Sequence, residues 1–409
     1  MTFRHSKSST ERPGQAPRLG SGQAPRPGSG QARPLSRRTF IGLSIGTLAA
    51  WLAGCRGAAV DPTIPVPPTF VASLPSSPSL SPTVTPLPPT YTPVPATSAI
   101  PNPQSAIPSP QSASRPALLA HWPATATSRV VVVRHAGVWA DSTPDPGIVL
   151  QMLDAGISAL TDTSDALAIW RALFDPGDQV LLKVNCISSG GPTQPAVAYA
   201  VAQRLQEAGL APENILIFDR TNRELAAAGY AINEGGPGVQ CHGAQGKGTE
   251  AALTQATVRF YQELDGCTAI INVPTPKQHG SAGVSVAMKN HYGSVDRPGA
   301  LHGNWCDPAI AELNAQPIIR DKTRLIVGAA LNVSPGNWEQ PERENALLLS
   351  FDPVALDTVG RDVLVRHLQD KGRDGGYLIE GARHLTTAQA LELGATEAGL
   401  IDLREIVLE

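Results

Sequence analysis

Asp175-Pro176-Gly177-Asp178-Gln179-Val180-Leu181-Leu182-Lys183-Val184-Asn185 carries the architecture of this chain in miniature. Its first four residues are turn chemistry: proline fixes φ, and Asp and Gly suit tight bends. They feed Val180-Leu181-Leu182-Lys183-Val184, a short apolar run without polar alternation, the pattern of a strand buried on both faces. A glycine-rich loop over 188–192 leads to a helix predicted over 195–208, which Gly209 ends. Ile215-Leu216-Ile217-Phe218 is the next apolar run. Upstream, Val130-Val131-Val132-Val133 reads as a further buried strand, followed by helical periodicity over 145–160 and 165–174. Downstream, strands are predicted at 269–273, 324–328 and 347–350. Strands alternating with helices imply an α/β fold with a parallel or mixed central sheet and helices on both faces.

In such sheets ligands sit at the carboxyl ends of the strands, and that is where the polar residues gather. Lys183 lies inside an apolar run and is costly to bury unpaired. It therefore pairs with a carboxylate or reaches a pocket as an anion clamp, with Asn185 just beyond it. After the strand ending at Val273 comes Pro274-Thr275-Pro276-Lys277-Gln278-His279-Gly280. A second segment follows, Ala287-Met288-Lys289-Asn290-His291-Tyr292-Gly293. Three lysines and two histidines near strand ends suit an anionic ligand: a carboxylate, a phosphate or a developing oxyanion. Lys183, Lys289, His279 and Asp352 are the candidate catalytic groups. Asn185, Lys277, Asn290, His291 and Asp357 are the candidate ligand-binding groups. For several of these a plain structural role competes. Asp352 precedes Pro353 and reads equally as a helix N-cap, and each histidine could be no more than a satisfied hydrogen-bond partner. His302 and Cys306, near Trp305, offer only weak support for a metal. Gly235-Gly236-Pro237-Gly238 is turn chemistry without the lysine of a phosphate loop.

These residues resemble a known family. Val180-Leu181-Leu182-Lys183-Val184-Asn185, Asn272-Val273-Pro274-Thr275-Pro276-Lys277-Gln278-His279, Met288-Lys289-Asn290-His291-Tyr292-Gly293 and Ser350-Phe351-Asp352-Pro353-Val354-Ala355-Leu356-Asp357 together resemble domain-of-unknown-function family 362, over about 130–368. The resemblance implies one pocket formed by Lys183, Lys277, His279, Lys289, Asn290 and Asp352. The family has no settled activity. Some members carry an appended ferredoxin-like module with clustered cysteines, and this chain has no such cluster.

The first third of the chain is of another kind. Ser36-Arg37-Arg38-Thr39-Phe40-Ile41 opens an apolar run that ends in Leu52-Ala53-Gly54-Cys55. Arg37 and Arg38 before a moderately apolar segment read as a twin-arginine export address. The run falls short of the roughly 20 apolar residues that span a bilayer. Cys55 reads as the acceptor of a lipid anchor, and a chance Arg-Arg pair before one buried helix is the plainer alternative. Residues 1–55 are thus expected to be a signal segment with a low-complexity leader, in which Gly14-Gln15-Ala16-Pro17-Arg18 recurs at Gly22-Gln23-Ala24-Pro25-Arg26. Residues 56–125, rich in Pro, Ser and Thr, read as a disordered stalk favouring polyproline II, or as plain spacer. Residues 126–409 form the α/β domain. The expected partners are the translocase during export, membrane lipid through Cys55 and a small anionic ligand, with the protein anchored on the outer face of the membrane.

The net charge of -3 argues against a general nucleic-acid binder. Besides Cys55 there are Cys186, Cys241, Cys267 and Cys306, with no C-x-x-C pair, so neither a ferredoxin cluster nor a zinc ribbon has sequence support. The sequence identifies no cofactor and no metal-ligand set. An exported enzyme acting on a small anionic substrate is the leading reading. A non-catalytic solute-binding lipoprotein and a cofactor- or metal-dependent redox protein are the alternatives.

Overall fold

The computed structural model describes residues 127–187, 191–336 and 340–409. Arg37, Arg38, Cys55, the stalk and part of the loop over 188–192 lie outside the described residues.

Eight strands make one sheet: β1 (Ser128–His135), β2 (Val180–Val184), β3 (Ile215–Phe218), β4 (Gln240–His242), β5 (Ala269–Val273), β6 (Thr323–Val333), β7 (Glu342–Ser350) and β8 (Ile401–Leu408). Their order across the sheet is β8-β1-β7-β6-β5-β2-β3-β4. β7 runs antiparallel to both of its neighbours, and every other pairing is parallel. The fold is therefore α/β with a mixed sheet.

Alternate residues of each strand enter opposite layers, as the two-residue period of a strand requires. Val131, Val133, Leu182, Val184 and Ile271 pack under α1 (Pro146–Thr161), α2 (Ala166–Leu173) and α3 (Pro195–Ala208). Val130, Val132, Leu181 and Ile270 face the other layer. That layer contains α4 (Ala287–Asn290), α5 (Ala309–Ala315), α6 (Pro353–Gln369) and α7 (His384–Ala390). Lys183 shares the strand parity of Leu181, and Asn272 that of Ile270. The two are register partners on adjacent strands, at the carboxyl end of the second face.

The elements follow local chemistry. α1 starts at Asp145, whose carboxylate accepts from the backbone N–H groups of Gly147 and Ile148, with Pro146 at the first helical position. α3 ends at Gly209 with φ 114°, in the left-handed region that glycine tolerates. Two strands run longer than the apolar pattern predicts. β6 extends to Val333, and β7 begins at Glu342, where ion pairs hold its polar end: Glu344 contacts Arg134 and Arg366 at 2.8 and 2.6 Å. β8 carries Asp402, Arg404 and Glu405, the charge that an edge strand uses against unwanted pairing.

The strand order also fixes where a ligand can sit. After β2 the chain moves outward to β3 and β4. It then returns across them to lay β5 on the other side of β2, and continues away through β6. Connections therefore leave β2 and β5 in opposite directions. A crevice opens between their carboxyl ends, the switch point where doubly wound sheets bind ligands.

Asp352 ties the end of β7 to the start of β1, at the end of the sheet away from the crevice. Its carboxylate accepts from the backbone of Val354, Ala355 and Ala395 at 2.8 to 2.9 Å and from the Ser128 hydroxyl at 2.5 Å. Asp352→Ala should remove the cap of α6 and leave buried donors unpaired, costing roughly 2–4 kcal/mol. Chemical denaturation checks this, and an unchanged midpoint would refute the role.

Candidate functional site

Lys183 is almost fully buried, and its ammonium donates to Asp219 Oδ1 at 2.8 Å, to the Val184 carbonyl at 2.6 Å and to Asn290 Oδ1 at 3.4 Å. Asp219 follows the last residue of β3, one strand away, so the pair closes across the carboxyl ends of β2 and β3. The other Asp219 oxygen accepts from the backbone N–H of Cys186 at 2.6 Å. All three ammonium donors of Lys183 thus find partners inside the protein. The lysine holds two strand ends and the α4 segment together, and presents no unused donor of its own.

An amide chain extends the frame. Asn290 donates to the Lys183 carbonyl and to Asn272 Oδ1, at 3.0 and 2.8 Å. Asn185 donates to Asn290 Oδ1 at 3.2 Å, and its own oxygen accepts from the Lys277 ammonium at 2.7 Å. Gly293 is required here: a Cβ on it would lie 2.8 Å from both Asp219 Oδ1 and Lys183 Nζ.

This frame forms one wall of a cavity of about 470 Å³, within the range of small-molecule sites. Lys183, Asn185, Lys277, His279, Lys289 and Asn290 all line it, with Asp219, Arg220, Tyr292 and His302. Lys277 is 6% exposed and Lys289 8% exposed. Lys277 donates to Asn185 and to the Ile187 carbonyl at 2.9 Å. The Lys289 ammonium sits 4.4 Å from the centre of the Tyr292 ring and 3.5 Å from His302 Nε2. Among the described residues neither lysine has a carboxylate partner. Burial accordingly pushes both ammonium groups down to about 8.

The histidines of the cavity are neutral. His279 Nδ1 accepts from the backbone N–H groups of Ser281 and Ala282, at 3.1 and 3.2 Å. That leaves the proton on Nε2, and burial holds the ring at about 3. His279 is therefore a donor near neutral pH and no base. His302 Nδ1 lies 2.9 Å from the Pro298 carbonyl. This contact assigns the proton to Nδ1 and turns the Nε2 lone pair toward Lys289.

Three expected site residues lie elsewhere. Asp352 stands with Ser128 at the opposite end of the strands, where the parallel ones begin, and four local donors occupy it. The single pocket implied for it and the lysines does not form, because Ser350 ends a strand that runs against β6. Asp357 is fully buried, and its carboxylate accepts from the backbone of Ala287 at 2.6 Å and Met288 at 3.2 Å. It therefore caps the turn that carries Lys289 and Asn290, and acts on the site only by holding that turn. His291 points into the core, with Nε2 3.2 Å from Asn272 Nδ2 and Nδ1 3.2 Å from Ser294 Oγ. Conversely, sequence reasoning passed over Asp219, although its place directly after a buried strand was the available signal. Arg220 was missed too, and it is paired with Glu224.

Cys186, Cys241, Cys267 and Cys306 are all free and buried. Among the described residues no three His, Cys, Asp or Glu side chains are grouped to hold a metal. No helix among them is long and apolar enough to cross a membrane.

Residues 180–362 match the model of the family called domain of unknown function 362. The matched stretch begins with β2 and closes within α6, so it contains the crevice, the amide frame and both unneutralised lysines. A thylakoid-associated protein of Synechocystis sp. is 27% identical over 239 residues, 52% of this chain and 72% of that protein. A crystal structure of a Thermotoga maritima protein aligns with a TM-score of 0.33 at 13% identity. That alignment covers 61% of this chain and 60% of the other.

Removing the partner of a buried ion pair strands a charge, at a cost of about 3–5 kcal/mol. Asp219→Ala should therefore destabilise the domain by that order, while Asp219→Ala combined with Lys183→Met recovers part of the loss. A double-mutant cycle in urea reads the coupling, and additive effects would show that the pair does not hold the frame.

Proposed function

We propose that this protein is an exported, lipid-anchored enzyme that acts on a small anionic organic substrate in the cavity between β2 and β5. One observation carries the catalytic reading. Two lysines, each more than nine-tenths buried, line that cavity, and among the described residues neither is paired with a carboxylate. An isolated buried ammonium is unfavourable, and an anionic ligand supplies the missing charge. Lys289 is the acid–base group of this proposal. Its ammonium, held at about 8, exchanges a proton near neutral pH as readily as a base of matched strength would. Asn185, Lys277 and His279 position the substrate. Lys183, which the sequence suggests as a second catalytic group, serves as the strut of the frame.

The sign of the pH dependence follows. Both lysines lose their protons in the unliganded protein as pH rises through about 8. A bound anion favours their charged forms, so affinity is greatest below that value and falls above it. The same groups bear on stability. Their pKa in the folded chain lies below the unfolded value, so the unfolded state holds more protons between about 8 and 10.5, and stability rises with pH across that window.

Lys289→Met should therefore lower turnover by about 10²-fold or more and raise the melting temperature of the unliganded protein. A panel of small carboxylates and phosphates, followed by mass spectrometry and calorimetry, checks both. Full turnover in the variant would end the enzymatic proposal. A single unreacted ligand retained through purification, without turnover, would favour the solute-binding reading.

The location rests on Arg37, Arg38 and Cys55 in order along the sequence. The Synechocystis relative is named as thylakoid-associated, which is compatible with a place at a membrane. Cys55→Ala should release the protein from the membrane fraction, and Arg37→Lys combined with Arg38→Lys should retain it inside the cell. Membrane retention of the Cys55→Ala protein would refute the anchor.

A further inference from the structure

We propose that the ligand carries two anionic groups at separate points, one received at Lys277 and one at Lys289, which makes a dicarboxylate the class that fits. The inference rests on the anionic-ligand reading above and sharpens it.

The charges around the cavity are few. Lys183 is answered by Asp219 at 2.8 Å, and Arg220 is paired with Glu224. His279 is held neutral by two backbone donors on Nδ1. His302 offers a lone pair to Lys289, with Nδ1 turned to Pro298. Among the described residues two positive charges therefore remain without a paired carboxylate, and a ligand that neutralises them brings two negative ones. A monoanion leaves one buried ammonium without a counter-charge, the costly arrangement that buried ion pairs avoid.

Their placement separates the two charges. Lys277 leans on Asn185 and on the Ile187 carbonyl, at the β2 rim. Lys289 lies over the Tyr292 ring beside His302, on the α4 side. The two ammonium groups share no hydrogen-bond partner. Lys277 uses two of its three donors inside the protein, so one remains for a ligand oxygen. Such an arrangement receives one carboxylate at each point. Phosphate would concentrate both charges on a single group.

The titratable neighbours do not supply the missing charge. Around Lys277 these are Asp219, Cys186 and Lys183. Asp219 is committed to Lys183, and burial pushes the Cys186 thiol up, so it stays neutral. Around Lys289 are Cys306, with His279, His302 and Tyr292. Burial pushes the Cys306 thiol and the Tyr292 hydroxyl up as well.

Isothermal titration of the full chain tests this, using dicarboxylates from oxalate to adipate, the monocarboxylates of matched length, and inorganic phosphate. At pH 7 at least one dicarboxylate should bind roughly tenfold or more tighter than its monocarboxylate partner. Lys277→Met and Lys289→Met should each bring that ratio close to one. Lys289→Gln and a thermal melt of each variant control for misfolding. At pH 9 dicarboxylate binding should take up more protons than monocarboxylate binding. Monocarboxylates that bind as well as dicarboxylates would overturn the two-point ligand while leaving the anionic reading intact. So would phosphate that outcompetes every dicarboxylate and depends on both lysines. Failure of every anion to bind would remove the anionic reading and this inference together.

Discussion

A lysine in the middle of a fully buried strand must find a negative partner within reach of its side chain, and that demand organises the carboxyl edge of this sheet. Lys183 meets it through Asp219, which directly follows the neighbouring strand. The pair fixes more than two side chains. Asp219 also takes the backbone N–H groups of Cys186 and Arg220, so the chain leaving β2 and the chain leaving β3 share one carboxylate. Lys183 in turn reaches Asn290 on α4. The α4 turn is docked onto the sheet by the same charge that the sheet had to neutralise. Gly293 fits this arrangement, since only a residue without a Cβ lets the backbone pass so close to the pair.

Much of the architecture is legible along the chain because the strands are short, apolar and bounded by turn residues. β2, β3 and β5 coincide with apolar runs, and α3 begins at its proline and ends before its glycine. The elements that escape are those where tertiary context decides. β8 alternates charge with aliphatic side chains as an edge strand does, and β4 is only a three-residue strand at the other edge. The polar end of β7 joins the sheet through the ion pairs of Glu344, which no local pattern announces. The site shows the same division. A lysine embedded near the end of an apolar run, or in the segments that follow one, announces a rim position, so Lys183, Lys277 and Lys289 could be read. Whether a histidine turns toward the rim or into the core depends on the rotation of a helix of four residues. That rotation places Asn290 on the cavity and His291 against Asn272. Asp357 is a sharper lesson: a carboxylate in a matching motif serves the site from beneath, by capping the turn on which Lys289 stands.

The contrast among the lysines is what supports the proposed anion site. All three are buried, all three sit at the same rim, and one is neutralised. Evolving a carboxylate near Lys277 or Lys289 would have made the unliganded fold more comfortable, as it does for Lys183. Their isolation holds the ammonium groups in a poised state, easily deprotonated and short of a counter-charge. Such a state costs stability in the unliganded protein, and an anion bound as proposed would recover it. Buried groups whose ionisation is strained in this way mark functional sites more often than structural ones.

The neutral groups around Lys289 make that strain specific. A carboxylate there would neutralise the ammonium and compete with any ligand. The Tyr292 ring offers attraction without a competing charge, and His302 offers a lone pair whose direction the Pro298 carbonyl sets. The ammonium is thus oriented while its charge remains uncompensated. Lys277 is oriented in the same manner, by an amide oxygen and a backbone carbonyl. Among the described residues both lysines are positioned by dipoles and neither by a paired carboxylate, and it is on this arrangement that the proposed anion site rests.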